Sequence, residues 1–275
     1  MPAAHGDHLL RGPEIRPDPS DNRSGTAQTR HSVACTPALA RVPTRLRHGK
    51  EPTIATAVLF DVDGTLVDSN YLHVHAWRRA FHELERPVDS WRVHRALGKG
   101  SGKLLSTLLG DEDAERVGDE VKDLHSRFYL ETAGLLRPFD HAPELIRALT
   151  AKGVRVVLAT SAGPDELDQL RRVLDVDDVV EDIVAGHDVE ATKPDPEPVL
   201  VALEKAGTSP EDTLFVGDAV WDVRAATKAG VRTIGVLSGG VSAAELTEAG
   251  AIATYDDVAA LLADLEKSPL AELFS

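Results

Sequence analysis

The stretch Val58-Leu59-Phe60-Asp61-Val62-Asp63-Gly64-Thr65-Leu66-Val67-Asp68-Ser69 runs an apolar strand straight into two carboxylates and a glycine. A strand alternates its side chains, so Asp61 and Asp63 are expected on one face, where two carboxylates repel unless a cation or a shared proton stands between them. Magnesium suits that place. It is a hard cation that takes oxygen ligands, keeps several waters, and binds through one or two carboxylates plus the phosphate of a substrate. The apolar run gives no structural reason for two charges, so the stretch points to phosphoryl chemistry.

Three further stations follow in order. Val154-Arg155-Val156-Val157-Leu158-Ala159 is a second apolar run, and it ends in Thr160-Ser161, hydroxyls whose neighbouring backbone N–H groups can face a phosphate. Lys193 stands in Thr192-Lys193-Pro194-Asp195-Pro196, where the prolines fix the chain around one ammonium. Thr213-Leu214-Phe215-Val216 is a third run, ending in Gly217-Asp218, with Asp222 four residues on. Each strand delivers its polar residue at its carboxyl end, where ligands bind in an open α/β sheet. Taken singly, Asp68 and Asp222 read equally well as turn formers or helix caps.

With DxDGT, strand-Thr, Lys-Pro and GDxxxD all present in order, the chain resembles the haloacid dehalogenase-like hydrolase superfamily, on its phosphatase branch, over about residues 54 to 262. The resemblance implies that Asp61 attacks phosphorus to form an aspartyl phosphate, while Asp63 protonates the leaving oxygen and later activates water. It also implies that Asp61, the backbone carbonyl of Asp63, and Asp218 hold Mg²⁺, with Asp222 in support. Thr160, Ser161, Lys193 and the amides after Asp61, at Gly64, would bind the transferred phosphoryl. Elementary chemistry agrees: a carboxylate nucleophile splits one hard displacement into two easier ones, and a positioned acid or base contributes roughly 100- to 10,000-fold.

Working outward, strand candidates are 55–60, 154–159, 181–185, 213–216 and 232–236, with helices expected over 143–152, 164–174, 196–206 and 219–229. Such alternation favours an α/β fold with a parallel sheet covered on both faces, and the resemblance implies a five-stranded Rossmannoid core with the Asp61 strand central. The gap from Asn70 to about Phe139 is too long for a simple connection. Its segments 71–86, 89–96, 101–109 and 112–133 carry helical periodicity, so a small helical cap domain is expected there. In the family such an insert closes over the site and sets substrate choice, with hinges here near 68–70 and 137–140. The expected layout is therefore core over 53–69 and 139–265, cap over 70–138, and a tail over 266–275.

Within the cap, Leu97-Gly98-Lys99-Gly100-Ser101-Gly102-Lys103 is a glycine-rich basic loop whose Lys99 and Lys103 are candidates to reach the substrate. The other reading is an ordinary turn with solvated lysines. His73 is either a substrate contact or a structural polar residue of the first cap helix. Trp221 is expected to pack.

Residues 1–52 carry more Lys and Arg than Asp and Glu, are rich in Pro, Gly, Ser and Thr, and show no sustained period, so a disordered extension is expected. They lack the apolar segment of a secretory signal. The single cysteine, Cys35, excludes an intramolecular disulfide and makes a reducing cytoplasm the expected compartment. A net charge of −15 argues against nucleic acid or an anionic membrane as partner. The partner expected is a small phosphorylated metabolite. Hydrolysis is favoured over transfer of the β-phosphoglucomutase type, because the cap loop carries lysines where that pattern has an arginine. From another class, a non-catalytic protein sensing a phosphorylated ligand would use the same fold but has no need of Asp63 as a proton donor.

Overall fold

The structure, a computed structural model, describes residues 55–274. The extension expected over residues 1–52 lies outside the described residues. Among the described residues, six parallel strands lie in one sheet: β1 (Ala57–Phe60), β2 (Arg155–Ala159), β3 (Asp182–Val184), β4 (Thr213–Gly217), β5 (Arg232–Val236) and β6 (Ala253–Tyr255), in the order β3-β2-β1-β4-β5-β6. The five expected strands are present, and β6 adds a sixth at the edge. It is three half-buried residues long, too short to show a period in sequence.

Strand alternation sorts the core into two layers. Val58, Phe60, Val156, Leu158, Leu214 and Val216 face one side, against α5 (Ala142–Ala151), α6 (Pro164–Leu174) and the helix Val258–Ala263. Ala57, Leu59, Val157, Ala159 and Phe215 face the other, against α7 (Glu197–Ala206) and α8 (Val220–Lys228). Burial on both faces explains why these strands read as unbroken apolar runs.

The segment over 266–275, expected as a tail, contributes to the first layer. A short 3-10 helix, Pro269–Leu273, buries Leu270 and Leu273 completely or nearly so, and Leu273 C=O accepts a 2.8 Å hydrogen bond from Thr56 Oγ1. Its two leucines stand three apart in too short a stretch for periodicity to reveal.

Between β1 and β2, four helices form a unit with its own buried core around Trp77, Phe81, Leu105 and Tyr129: α1 (Asn70–Glu83), α2 (Ser90–Ala96), α3 (Ser101–Leu109) and α4 (Asp111–Leu130). Its two connections to the sheet run side by side. Asp68 N–H donates to Arg137 C=O at 3.0 Å, and Phe139 N–H to Leu66 C=O at 2.9 Å. Among the described residues no helix is long and apolar enough to cross a membrane.

Candidate active site

β1 is central, and Phe60 pairs with both Leu158 of β2 and Val216 of β4, so the three strands end level. From β1 the chain turns to β2 and β3 on one side before crossing to β4 on the other, and a crevice opens where that order reverses. Asp61, Thr160 and Asp218 sit at these three strand ends, and each is buried.

Lys193 reaches in from the loop before α7. Its Nζ lies 2.5 Å from Asp61 Oδ1 and 2.7 Å from Asp222 Oδ1. Burial alone would lower the Lys193 pKa, but the charges of Asp222 and Asp61 reverse the shift and hold the ammonium charged. Asp222 also accepts the Ala219 N–H at 3.0 Å through Oδ2, so it caps α8 while pairing with the lysine.

Carboxyl oxygens of Asp61, Asp218 and Asp222 lie within 4.8 Å of one another. Burial, then Asp222, pushes the Asp218 pKa up to about 7; burial also raises Asp61 well above its usual range, against the pull of Lys193. Such a set, short of positive charge and rich in oxygen, fits a hard divalent cation. Asp218 is held by Asn70 Nδ2 at 3.0 Å and by Thr65 Oγ1 at 3.2 Å. Backbone crowds the same carboxylate: a Cβ on Gly239 would stand 1.6 Å from Asp218 Oδ2, and one on Gly64 would stand 2.5 Å away, at φ +80°.

Asp63 occupies a different environment from the one its spacing predicts. β1 ends at Phe60, so strand alternation does not carry past it, and the like charges acting on Asp61 belong to Asp222 and Asp218 instead. Asp63 Oδ1 accepts from Ser69 Oγ at 2.6 Å and faces His73 Nε2 at 3.2 Å; Oδ2 accepts from Thr160 Oγ1 at 3.1 Å. Burial would raise its pKa, but these three partners outweigh burial and lower it. Reciprocally, burial would lower the His73 pKa and Asp63 raises it.

A cavity of about 270 Å³ lies over these groups and is lined by both core and insert. Asp61, Asp63, Ser161, Lys193 and Asp218 form its floor; His73, Trp77, Ser101, Lys122 and His125 come from the helical insert. Lys99 and Lys103, expected to reach the substrate, do not line it. Lys99 lies over the Trp221 ring at 4.1 Å and donates to Thr107 Oγ1 at 3.0 Å, while Lys103 donates to the Thr192 carbonyl. Both are spent on holding the insert against the core, because Gly98 and Gly100 pack closely on Ala219 and Thr192. Ser69, Asn70, Thr65, His125 and Glu166 also belong to the site or its border. Of these, only Ser69 and Asn70 carry a sequence expectation, as part of the 68–70 hinge, and none carries one as a site residue.

Fold and site together define an enzyme of the phosphoryl-handling class. Residues 55–230 match the family described as haloacid dehalogenase-like hydrolase. Phosphoglycolate phosphatase of Shigella boydii is 33% identical over 205 residues, covering 66% of this chain and 81% of the relative. N-acetylmuramic acid 6-phosphate phosphatase of Pseudomonas aeruginosa is 31% identical over 186 residues, covering 66% and 82%. A hydrolase from Pseudomonas syringae superposes with a TM-score of 0.73 at 34% identity, covering 77% of this chain and 98% of its own. The chain therefore belongs to the haloacid dehalogenase-like hydrolase family, and it is an enzyme of the phosphatase kind.

Proposed function

We propose that the protein hydrolyses the phosphate monoester of a small metabolite, using Asp61 as nucleophile, with Mg²⁺ as its cofactor. The observation that carries this reading is the buried contact of Lys193 with Asp61 at the carboxyl end of the central strand. A lysine held there offers a transferred phosphoryl one fixed positive charge beside the attacking oxygen, and phosphoryl transfer depends chiefly on such positioning and charge. Thr160 and the exposed Ser161 would bind the phosphoryl oxygens. Magnesium, held by Asp61, Asp218 and the Asp63 carbonyl with Asp222 behind, would neutralise charge on the same oxygens.

In the first step an Asp61 oxygen bonds to phosphorus as the P–O bond to the leaving group breaks, and Asp63 gives its proton to the departing oxygen. In the second, Asp63 takes a proton from water, the water oxygen bonds to phosphorus, and the acyl phosphate bond breaks to return Asp61 and free phosphate. Asp63 is held ionised by its partners, and entry of a phosphate dianion beside it favours its protonated form. The docked helical insert acts as a cap that keeps bulk solvent from the site, apart from the water that attacks in the second step.

The test is turnover of p-nitrophenyl phosphate with and without EDTA, in wild type, Asp61→Asn and Asp63→Asn. Metal-dependent release of phosphate that both substitutions abolish supports the reading; an inactive wild type across a broad ester panel would leave a ligand sensor. The panel includes 2-phosphoglycolate, N-acetylmuramic acid 6-phosphate and both glucose 1-phosphate anomers, with phosphate and glucose 6-phosphate measured separately. Isomer formation without phosphate would identify a mutase.

A further inference from the structure

Two buried titratable side chains at the cavity have no part in the cycle above. His125 comes from α4 of the insert, and Glu166 from the first turn of α6 in the core; both are more than nine-tenths buried as residues. They continue a line that starts at Asp63. Asp63 Oδ1 faces His73 Nε2 at 3.2 Å, His73 Nδ1 faces His125 Nε2 at 3.1 Å, and His125 Nδ1 stands 3.6 Å from Glu166 Oε1. The rings cannot turn freely. His73 stacks on Tyr129 at 4.0 Å between centroids, and His125 stacks on Trp77 at 3.9 Å.

Resting on the phosphatase reading, we propose that His125 and Glu166 are positioning residues for Asp63, which fix the orientation and hydrogen-bond direction of His73 when the insert is docked. A carboxylate has no hydrogen to give, so the nitrogen facing Glu166 is the one that carries hydrogen, even at 3.6 Å, where charge rather than a formed hydrogen bond acts. That leaves His125 Nε2 as an acceptor. His73 must then donate from Nδ1, and since the Asp63 carboxylate is also an acceptor, His73 Nε2 carries a hydrogen as well and donates it to Asp63 Oδ1. His125, whose Nδ1 is committed to Glu166, has its tautomer and ring plane set by the group behind it, and through its acceptor nitrogen it sets the ring plane of His73.

The line leaves the core at Asp63, crosses two insert helices, and returns to the core at Glu166. It is complete only while insert and core are together, so the orientation of the proton-handling group is tied to closure by the core's own carboxylate. His125 holds no charge of its own to disturb this: burial, then His73, keeps its pKa well below the ordinary histidine value.

The experiment pairs kinetics with ring-nitrogen NMR of ¹⁵N-histidine-labelled protein, on wild type, Glu166→Leu and Glu166→Gln, with p-nitrophenyl phosphate and magnesium as the probe. With Glu166→Leu, kcat is expected to fall about 10- to 100-fold, the scale for removing the partner behind a site histidine, with KM within about twofold. Glu166→Gln keeps an acceptor oxygen and restores most of the loss. The spectra show His125 protonated on Nδ1 in wild type and Glu166→Gln, and shifted toward Nε2 in Glu166→Leu. Wild-type kcat in a folded Glu166→Leu, or Nε2–H on His125 in wild type, overturns the proposal. If the wild type hydrolyses no ester, the phosphatase reading falls and the spectra alone decide the hydrogen-bond line. If Glu166→Leu does not fold, the spectra of the other two proteins decide it.

Discussion

Lys193 Nζ and Asp61 Oδ1 stand 2.5 Å apart although 132 residues separate them, and the same ammonium reaches Asp222 at 2.7 Å. Removing one partner of a buried ion pair leaves an uncompensated charge. Lys193→Met strands two carboxylates at once, so a stability loss of about 3–5 kcal/mol is expected, measured by urea unfolding. Turnover falls with it, by about 100- to 1,000-fold, the scale for losing one fixed donor to a developing charge. Asp61→Asn is the contrasting case: it removes one of three crowded acids, so activity disappears while the melting temperature holds or rises.

Asp218 gives the pH dependence. Its folded pKa of about 7 lies above the ordinary 3.8, so the metal-free native state binds more protons than the unfolded chain between those values. Stability from this group is therefore present at low pH and lost as pH rises toward and through about 7. Melts in EDTA are expected to fall in temperature between pH 5 and 8. Added Mg²⁺ should reverse the fall most strongly at the alkaline end, since binding needs the deprotonated acid. Asp218→Asn should flatten both curves; an unchanged magnesium shift in that variant would remove Asp218 from the metal set.

Gly239 tests whether the acid cluster depends on backbone crowding. A methyl group there would lie 1.6 Å from Asp218 Oδ2, inside any allowed contact, so Gly239→Ala must displace the carboxylate. Gly239 is not in the left-handed region, and the backbone itself tolerates alanine. The expected outcome is a folded protein whose half-saturating magnesium concentration rises about tenfold or more, the scale for disturbing the support of a metal ligand. Retained magnesium affinity would mean that Asp218 is free to rotate.

The sheet and its strand-end residues were legible because parallel strands buried on both faces write apolar runs, and a charge that interrupts such a run has few structural reasons to be there. Asp61, Thr160 and Asp218 are placed at their strand ends in this way, while Lys193, in a loop, stands out only by its position in the ordered set of motifs. Where residues meet through tertiary packing, periodicity carried no signal: Ser69, Asn70 and Thr65 look like ordinary turn residues until Asp63 and Asp218 are placed beside them. Lys99 and Lys103 lie away from the cavity for the complementary reason. A glycine-rich loop permits close approach, and here the approach is to the core rather than to a ligand. Asp61 and Asp63 both line the cavity, but strand alternation does not relate them, because β1 stops at Phe60.

The carboxyl-terminal segment yields a last prediction, on stability alone. Leu270 is fully buried among the residues of the first core layer, and Ser268 caps the short helix that carries it by accepting the Leu270 N–H at 3.3 Å. A tail would tolerate truncation here; a core element would not. Leu270→Ala removes buried methyl groups and leaves a cavity against the sheet, so it should cost about 2–5 kcal/mol. Glu272, 58% exposed in its 2.8 Å pair with Arg232, supplies the control: Glu272→Ala should cost no more than about 1 kcal/mol, as exposed pairs do. Urea midpoints at an unchanged m value separate the two, and equal midpoints would return residues 266–275 to the status of a tail.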